Sequence, residues 1–299
     1  MLESVAEKTL GSYRQRWKHF VLWAFRKRDP CAISVPLIAD YLIHLFSEGY
    51  QTGTINTARS AINFFTLNEI PEDDIVIRKI FKYFFRYRPI VPKYPTFWPV
   101  SKVLSLLEKW HPASSLPLKE LTLKTLALMA LSSSDRGQTL HMANVNNVRK
   151  NDEGTLEFVI FERTKTTRKI LKPEVIRCDG SDIEALNPCA YAEEYIERTK
   201  QFRNDETSSL FLSWISKKPV TRQSLSRWLR EVLKLSGIEG YAPHSFRGAS
   251  LTAARSKGAS IPQIVKAGKW TGQKTFKKFY DAPSEDSPIG KLIISHFSK

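Results

Sequence analysis

Apolar positions recur every three to four residues through most of this chain and alternate in only two short stretches, so the pattern is mainly helical. The first helix is predicted over residues 4–28, with Leu10, Tyr13, Trp17, Phe20, Val21 and Ala24 on one side and Asp29 and Pro30 as its stop. A second covers 35–47 behind Ser34 and Pro36. A third starts near Thr52 or Thr54 and carries Ile55, Ala58, Ile62 and Phe65. A fourth covers 75–88 after Pro71, Glu72, Asp73 and Asp74. Four short amphipathic helices with tight loops predict a small bundle. Phe81, Phe84 and Phe85 belong to its core on this reading, and Arg78, Lys79, Lys82, Arg86 and Arg88 to its solvated side.

Residues 89–99, PIVPKYPTFWP, hold four prolines and no periodicity, which reads as a linker. The chain is therefore expected to divide near residue 95, into 1–95 and 96–299. Beyond the linker an amphipathic helix is predicted at 100–110. A second at 118–132, LKELTLKTLALMALS, is apolar nearly all round and so buried. Two β-type runs, 156–161 and 169–176, flank ERTKTTR and predict a hairpin or a three-stranded sheet. Helices follow at 187–203 and, basic and amphipathic, at 221–236, with a short apolar piece at 210–214 between them. Pro243 and Ser245 open another helix that Gly258 ends. Pro262 opens the next, with Ile261, Ile264, Val265 and Ala267 facing inward and Gly268 closing it. The stretch TGQKTFKKFYDAP is too polar and broken for a core, and an apolar terminal helix, PIGKLIISHF, follows. The fold class is thus mainly α with a small β-sheet (α+β), a helical bundle followed by a larger domain.

Composition sharpens the picture. At 299 residues and 42% hydrophobic content the chain can bury substantial cores, and its net charge of +16 points to nucleic acid, a membrane surface or an acidic partner. No apolar run approaches the roughly 20 residues of a membrane span, and the N-terminus lacks a signal-peptide core, so no membrane partner is expected. Cys31, Cys178 and Cys189 have no metal-ligand spacing and read as reduced, buried thiols. His19, His44, His111, His141 and His296 show no metal-type grouping, and no structural zinc is expected. Neither GxxxxGK[ST] nor GxGxxG occurs, so no nucleotide cofactor is expected either.

The charge concentrates where the chemistry is. Residues 241–280, YAPHSFRGASLTAARSKGASIPQIVKAGKWTGQKTFKKFY, carry eight Lys or Arg and no Asp or Glu, a field suited to a polyanion. His244 and Arg247 stand three apart, close enough on a helix for one ligand to meet both. The ordered set His244, Arg247, Trp270, Tyr280 resembles the catalytic end of the tyrosine recombinases, the family of phage integrases and Cre. The wording KAGKWTGQKTFKKFYDAP is similar to that of recombinases from DIRS-like and Ngaro-type retrotransposons, as are FWPVSKVLSLL and the local word RGQTL.

The resemblance implies a helical core-binding domain that clamps DNA, a recombinase catalytic domain, and cutting and rejoining of double-stranded DNA through a phosphotyrosine; a type IB topoisomerase that relaxes DNA, or a recombinase-derived DNA-binding protein that no longer cuts, are the alternatives. It implies no cofactor and no metal. Arg136, directly after the buried helix, matches the family's first active-site arginine. Lys165 in TKT matches its hairpin lysine, with Arg168 and Lys169 as competitors. Many members carry an acidic residue three positions after the first arginine. Thr139 stands there in this chain, and Asp135 is the neighbouring candidate for that supporting role. Arg59, Lys79, Lys82, Arg86, Arg222 and Arg227 are either phosphate contacts or a solvated face. The terminal helix, apolar at Ile289, Leu292, Ile293 and Phe297, either folds back on its own domain or packs on a neighbouring copy, linking protomers as a tetramer on DNA. A nuclear location follows for a eukaryotic host, a cytoplasmic one otherwise.

Overall fold

Two stretches of the chain each build their own core, Met1–Val91 and Pro92–Lys299. The structure is a computed structural model that describes residues 6–26, 33–66, 74–89, 91–162, 173–204, 207–273 and 276. In the first unit the described residues form α1 (Glu7–Phe25), α2 (Val35–Ser47), α3 (Thr52–Phe65) and α4 (Ile75–Tyr87). Capping fixes two of the starts. Ser34 Oγ accepts the Leu37 amide at the head of α2, and Asp74 accepts the Val76 and Ile77 amides at 2.8 and 3.0 Å at the head of α4. The inward stripes meet in one core of Phe20, Tyr41, Leu42, Leu45, Ile55, Ile62 and Phe84, with the Phe46 ring stacked on Phe84 at 4.3 Å.

Two expectations for α4 are corrected. Phe85 is 45% exposed, because one residue past Phe84 the helix has turned by about 100° and its ring reaches only the rim, beside Phe81. Arg88 is not part of the solvated face. Its guanidinium donates to Tyr50 O and Phe46 O and lies 4.1 Å over the Phe46 ring, tying the end of α4 to the end of α2.

The second unit is organised around α6 (Leu118–Ser133), in which residues 121–130 are all buried. Around it lie α5 (Val100–Lys109), α7 (Gly137–His141), α8 (Pro188–Thr199), α9 (Arg222–Leu235) and α10 (Ser245–Ser256), and α11 (Ile261–Ala267) packs on α10. The sheet is antiparallel in the order β1 (Val148–Lys150), β2 (Leu156–Ile160), β3 (Glu174–Cys178), with Phe158 paired to Val148 on one side and Ile176 on the other. Cys178 and Cys189 are buried free thiols, as their spacing implied, and Cys31 lies outside the described residues.

Part of the proline-rich segment is core. Tyr94, Phe97 and Trp98 are buried, Trp98 Nε1 donates to Ser245 Oγ at 2.8 Å, and the Phe97 ring presses so closely on Gly248 that a Cβ there would lie 2.0 Å from it. Irregular backbone hid this packing, since without periodicity nothing in the sequence marks three aromatic residues as inward. Two further expectations change. Along α11 only Ile264 is buried and Ala267 is exposed. Phe276, in the stretch read as too polar for core, is fully buried against Leu251 and Ile264.

Lys124 is a cation inside α6. It is fully buried, donates to Trp110 O at 2.5 Å and lies 3.7 Å from the Tyr191 ring centre. Burial lowers its pKa to about 8. With the folded pKa below the unfolded one, the cost of charging it is present in full below pH 8 and disappears as pH rises toward the unfolded value. Lys124→Met is therefore expected to be more stable than the parent at pH 7, by on the order of 2–3 kcal/mol. That advantage should vanish near pH 10 in chemical denaturation. Trp110 O still accepts from Tyr191 Oη at 3.1 Å, so the substitution strands no carbonyl.

Candidate active site

At the end of α6 the chain must reverse within three residues. Ser134 takes the left-handed conformation, φ 53°, and its Oγ lies 2.8 Å from Ser250 Oγ on α10. The Asp135 amide donates to Ser133 Oγ at 3.2 Å. The turn leaves Arg136 half-buried at the N-cap of α7. Opposite, α10 starts at His244, which stands at the N-cap, and Arg247 follows within the first turn. Arg136, His244 and Arg247 line one cavity of about 320 Å³, together with Asp135, Gln138 and Arg222 from the head of α9.

Arg247 is 5% exposed. Its Nη1 donates to Ser134 O at 2.8 Å, its Nη2 donates to Gly268 O, and its guanidinium carbon lies 4.8 Å from the Trp270 ring centre. A planar guanidinium suits this place because its donors fan out in a fixed plane, two of them on carbonyls, while the group still lines the cavity.

His244 sits at the cavity rim beside the Tyr94 ring, centroids 5.6 Å apart. Tyr94 is held in turn by the Ala242 amide, which donates to its hydroxyl at 2.8 Å, and by the Tyr241 ring at 4.8 Å. Desolvation, with the Lys93 cation, lowers the His244 pKa, which favours the neutral imidazole able to accept a proton.

A second charged group lies behind the arginines. Asp135 is buried, and Lys269 Nζ meets its Oδ1 at 2.5 Å. Burial pushes the Asp135 carboxyl up, and Glu174 adds to this, while Lys269 and Arg247 oppose it. Lys269 also donates to Val175 O at 3.2 Å and lies 3.8 Å from Glu174 Oε2, which accepts from Thr139 Oγ1 at 3.3 Å. Thr139 is thus tied to an acidic residue of β3.

The structure brings Arg136, His244 and Arg247 together and sets Trp270 against Arg247. It adds Arg222, read from the sequence as either a phosphate contact or part of a solvated face. Arg227 is exposed, with its guanidinium on Ser224 Oγ at 3.1 Å. In the first unit Lys79, Lys82 and Arg86 are exposed along α4, and Arg59 is half-buried with its guanidinium 5.5 Å from the Phe81 ring centre. Lys165, Arg168, Lys169, Tyr280 and the terminal segment 289–297 lie outside the described residues. Sequence reasoning missed Lys269, Glu174 and Tyr94. Position next to Trp270 was the only signal for Lys269, and its partner is 134 residues away. Among the described residues no group of three or more His, Cys, Asp or Glu could hold a metal ion, and no helix is long and apolar enough to cross a membrane.

A helical unit followed by a helical domain with a three-stranded antiparallel sheet is the tyrosine recombinase fold. Solved structures of several recombinases and integrases share it. A XerH site-specific recombinase bound to palindromic difH substrate in a post-cleavage complex matches with a TM-score of 0.67 and 13% identity, over 97% of this chain and 80% of that one. A lambda integrase dimer bound to a COC′ core site matches at 0.58 and 15%, over 94% and 91%. The Tn1549 transposon integrase in complex with transposon right end DNA matches at 0.59 and 13%, over 97% and 94%. No family model matches this sequence, and no curated protein matches it.

Proposed function

We propose that this chain is a DNA breaking and rejoining enzyme, a tyrosine recombinase whose nucleophile is Tyr280. The observation that carries the reading is the single cavity lined by Arg136, His244 and Arg247, with Trp270 against Arg247. Two arginines and a neutral imidazole around a space of this size suit a phosphodiester approaching its transition state.

On this reading Tyr280 Oη attacks the scissile phosphorus and His244 takes the phenolic proton. A 3′-phosphotyrosyl bond forms as the bond to the 5′-oxygen breaks. Lys165, or Lys169 in its place, gives that oxygen its proton. Arg136 and Arg247 hold the non-bridging oxygens, and the Trp270 indole N–H is a further donor. The 5′-hydroxyl of a second strand then attacks the phosphotyrosine, giving its proton to the same lysine, as the bond to Tyr280 Oη breaks and His244 returns a proton to the phenolate, so strands rejoin without ATP.

In the first unit Arg59, Lys79, Lys82 and Arg86 would contact duplex DNA, and in the second Arg222 and Arg227 would do the same. Segment 289–297 would link protomers into a tetramer on two sites. DNA-bound dimers and tetramers occur among the lambda integrase structures of this fold. The wording around Trp270 and Tyr280 favours a mobile element of the DIRS-like or Ngaro type, acting in the nucleus of its host. A descendant that binds DNA without cutting it is the second reading, favoured by Thr139. The buried Asp135, which lines the cavity with Arg247, weighs against it.

The test is covalent trapping. The protein is mixed with nicked duplexes tiled across the DNA that flanks its own gene, and SDS-resistant adducts are scored. An adduct at a discrete site is the expected result. Gel-shift binding with no adduct on any duplex would leave the binding-only reading.

A further inference from the structure

Two turns face each other at the wall of the cavity, residues 134–135 after α6 and 268–269 after α11, and two cationic side chains join them. Arg247 does so through carbonyls, donating to Ser134 O and to Gly268 O. Lys269 does so directly, through its 2.5 Å contact with the Asp135 carboxylate. The pair is well enclosed, with side-chain exposures of 25% for Lys269 and 2% for Asp135. Lys269 also reaches a third element, β3, through Val175 O and Glu174. Its backbone is left-handed, φ 48°, a conformation that disfavours a side chain and that Gly would adopt more readily. A lysine held there keeps its ammonium at the junction of all three elements.

The residues beside this junction matter most. Asp135 immediately precedes Arg136, and Lys269 immediately precedes Trp270, whose ring lies on Arg247. A shift of either turn would therefore move a group of the cavity. Thr139 donates to Glu174, at the far end of the same chain of contacts.

We propose that Asp135 and Lys269 are positioning residues, a buried brace that sets Arg136 and Trp270 around Arg247. The inference rests on the DNA-cleavage reading above. The brace acts through the neighbouring arginines and Trp270. It holds the donors of the cavity to the geometry that the non-bridging oxygens require, where a displacement near 1 Å lowers the rate by roughly 100-fold.

The test uses a nicked duplex on which the parent protein forms an adduct. A second duplex is identical except for a methylphosphonate at the scissile position, which replaces one charged oxygen with a methyl group. Lys269→Met and the isosteric Asp135→Asn are expected to slow adduct formation roughly 10–100-fold on the phosphate duplex, with gel-shift binding retained. On the methylphosphonate duplex, where aimed positive charge matters less, each variant should come much closer to the parent. General damage to the fold would lower both rates by the same factor. The double variant should be no slower than the slower single one, because both weaken the same contact. Adduct formation at the parental rate by Asp135→Asn overturns the brace, as does an equal loss on both duplexes. If the parent forms no adduct on any duplex, the cleavage reading itself has failed and the brace falls with it.

Discussion

Tyr280→Phe is expected to abolish the covalent DNA adduct completely while leaving gel-shift binding in place. The substitution removes one oxygen and keeps the ring, so it separates nucleophilic chemistry from packing and electrostatic attraction. A phenol titrates near pH ~10, so at neutral pH only about one molecule in a thousand carries the reactive phenolate. The cavity compensates on the acceptor side: desolvation and the Lys93 cation favour the neutral form of His244. Two other phenols lie close by and are already engaged. Tyr241 Oη donates to Thr96 O at 3.0 Å, and Tyr94 Oη accepts the Ala242 amide. Phe279, beside Tyr280, has no hydroxyl to offer. An SDS-resistant adduct formed by Tyr280→Phe would refute the assignment, and mass spectrometry of the adducted peptide would show which hydroxyl had replaced it.

Local signals carried the reading of helices, because period and caps act within a few residues. Ser34 and Asp74 start the helices they precede, and the run around residues 121–130 is apolar enough to require burial on every side. Local signals failed where a side chain is placed by a distant partner. Arg88 belongs to Phe46 and Tyr50, Trp98 to Ser245, and Phe276 to a pocket formed by Leu251 and Ile264. The same division holds in the site. His244 and Arg247 declare themselves by spacing, and Arg136 by following the buried helix. The Asp135–Lys269 pair and the Thr139–Glu174 contact leave no local trace, since charged residues near a turn are common and nearly always solvated. Buried charge without its partner is costly, so pairing explains why these charges can lie inside. The sequence shows only the charges.

Arg247→Lys carries the second large effect, a loss of about 3 kcal/mol of transition-state stabilisation or more, which is at least two orders of magnitude in single-turnover cleavage. Charge is conserved in this substitution, and geometry is what changes. The guanidinium directs one nitrogen at Ser134 O and another at Gly268 O, lies over the Trp270 ring, and lines the cavity. A lysine ammonium is a compact point charge on a flexible stem and cannot hold both carbonyls and a phosphate oxygen in one plane. Two consequences follow at separate places. The turns at 134–135 and 268–269 lose a shared donor, which raises the mobility of Arg136 and Trp270. The phosphate loses a rigid donor that strengthens as charge builds on its oxygens. Measured at saturating DNA, cleavage should fall while binding, supplied largely by the many other cations of the chain, changes little. On the methylphosphonate duplex both parts of the loss should shrink, because each acts through the stabilisation of charge on the non-bridging oxygens. A parental cleavage rate in Arg247→Lys would remove Arg247 from the reacting site and leave it a purely structural cation.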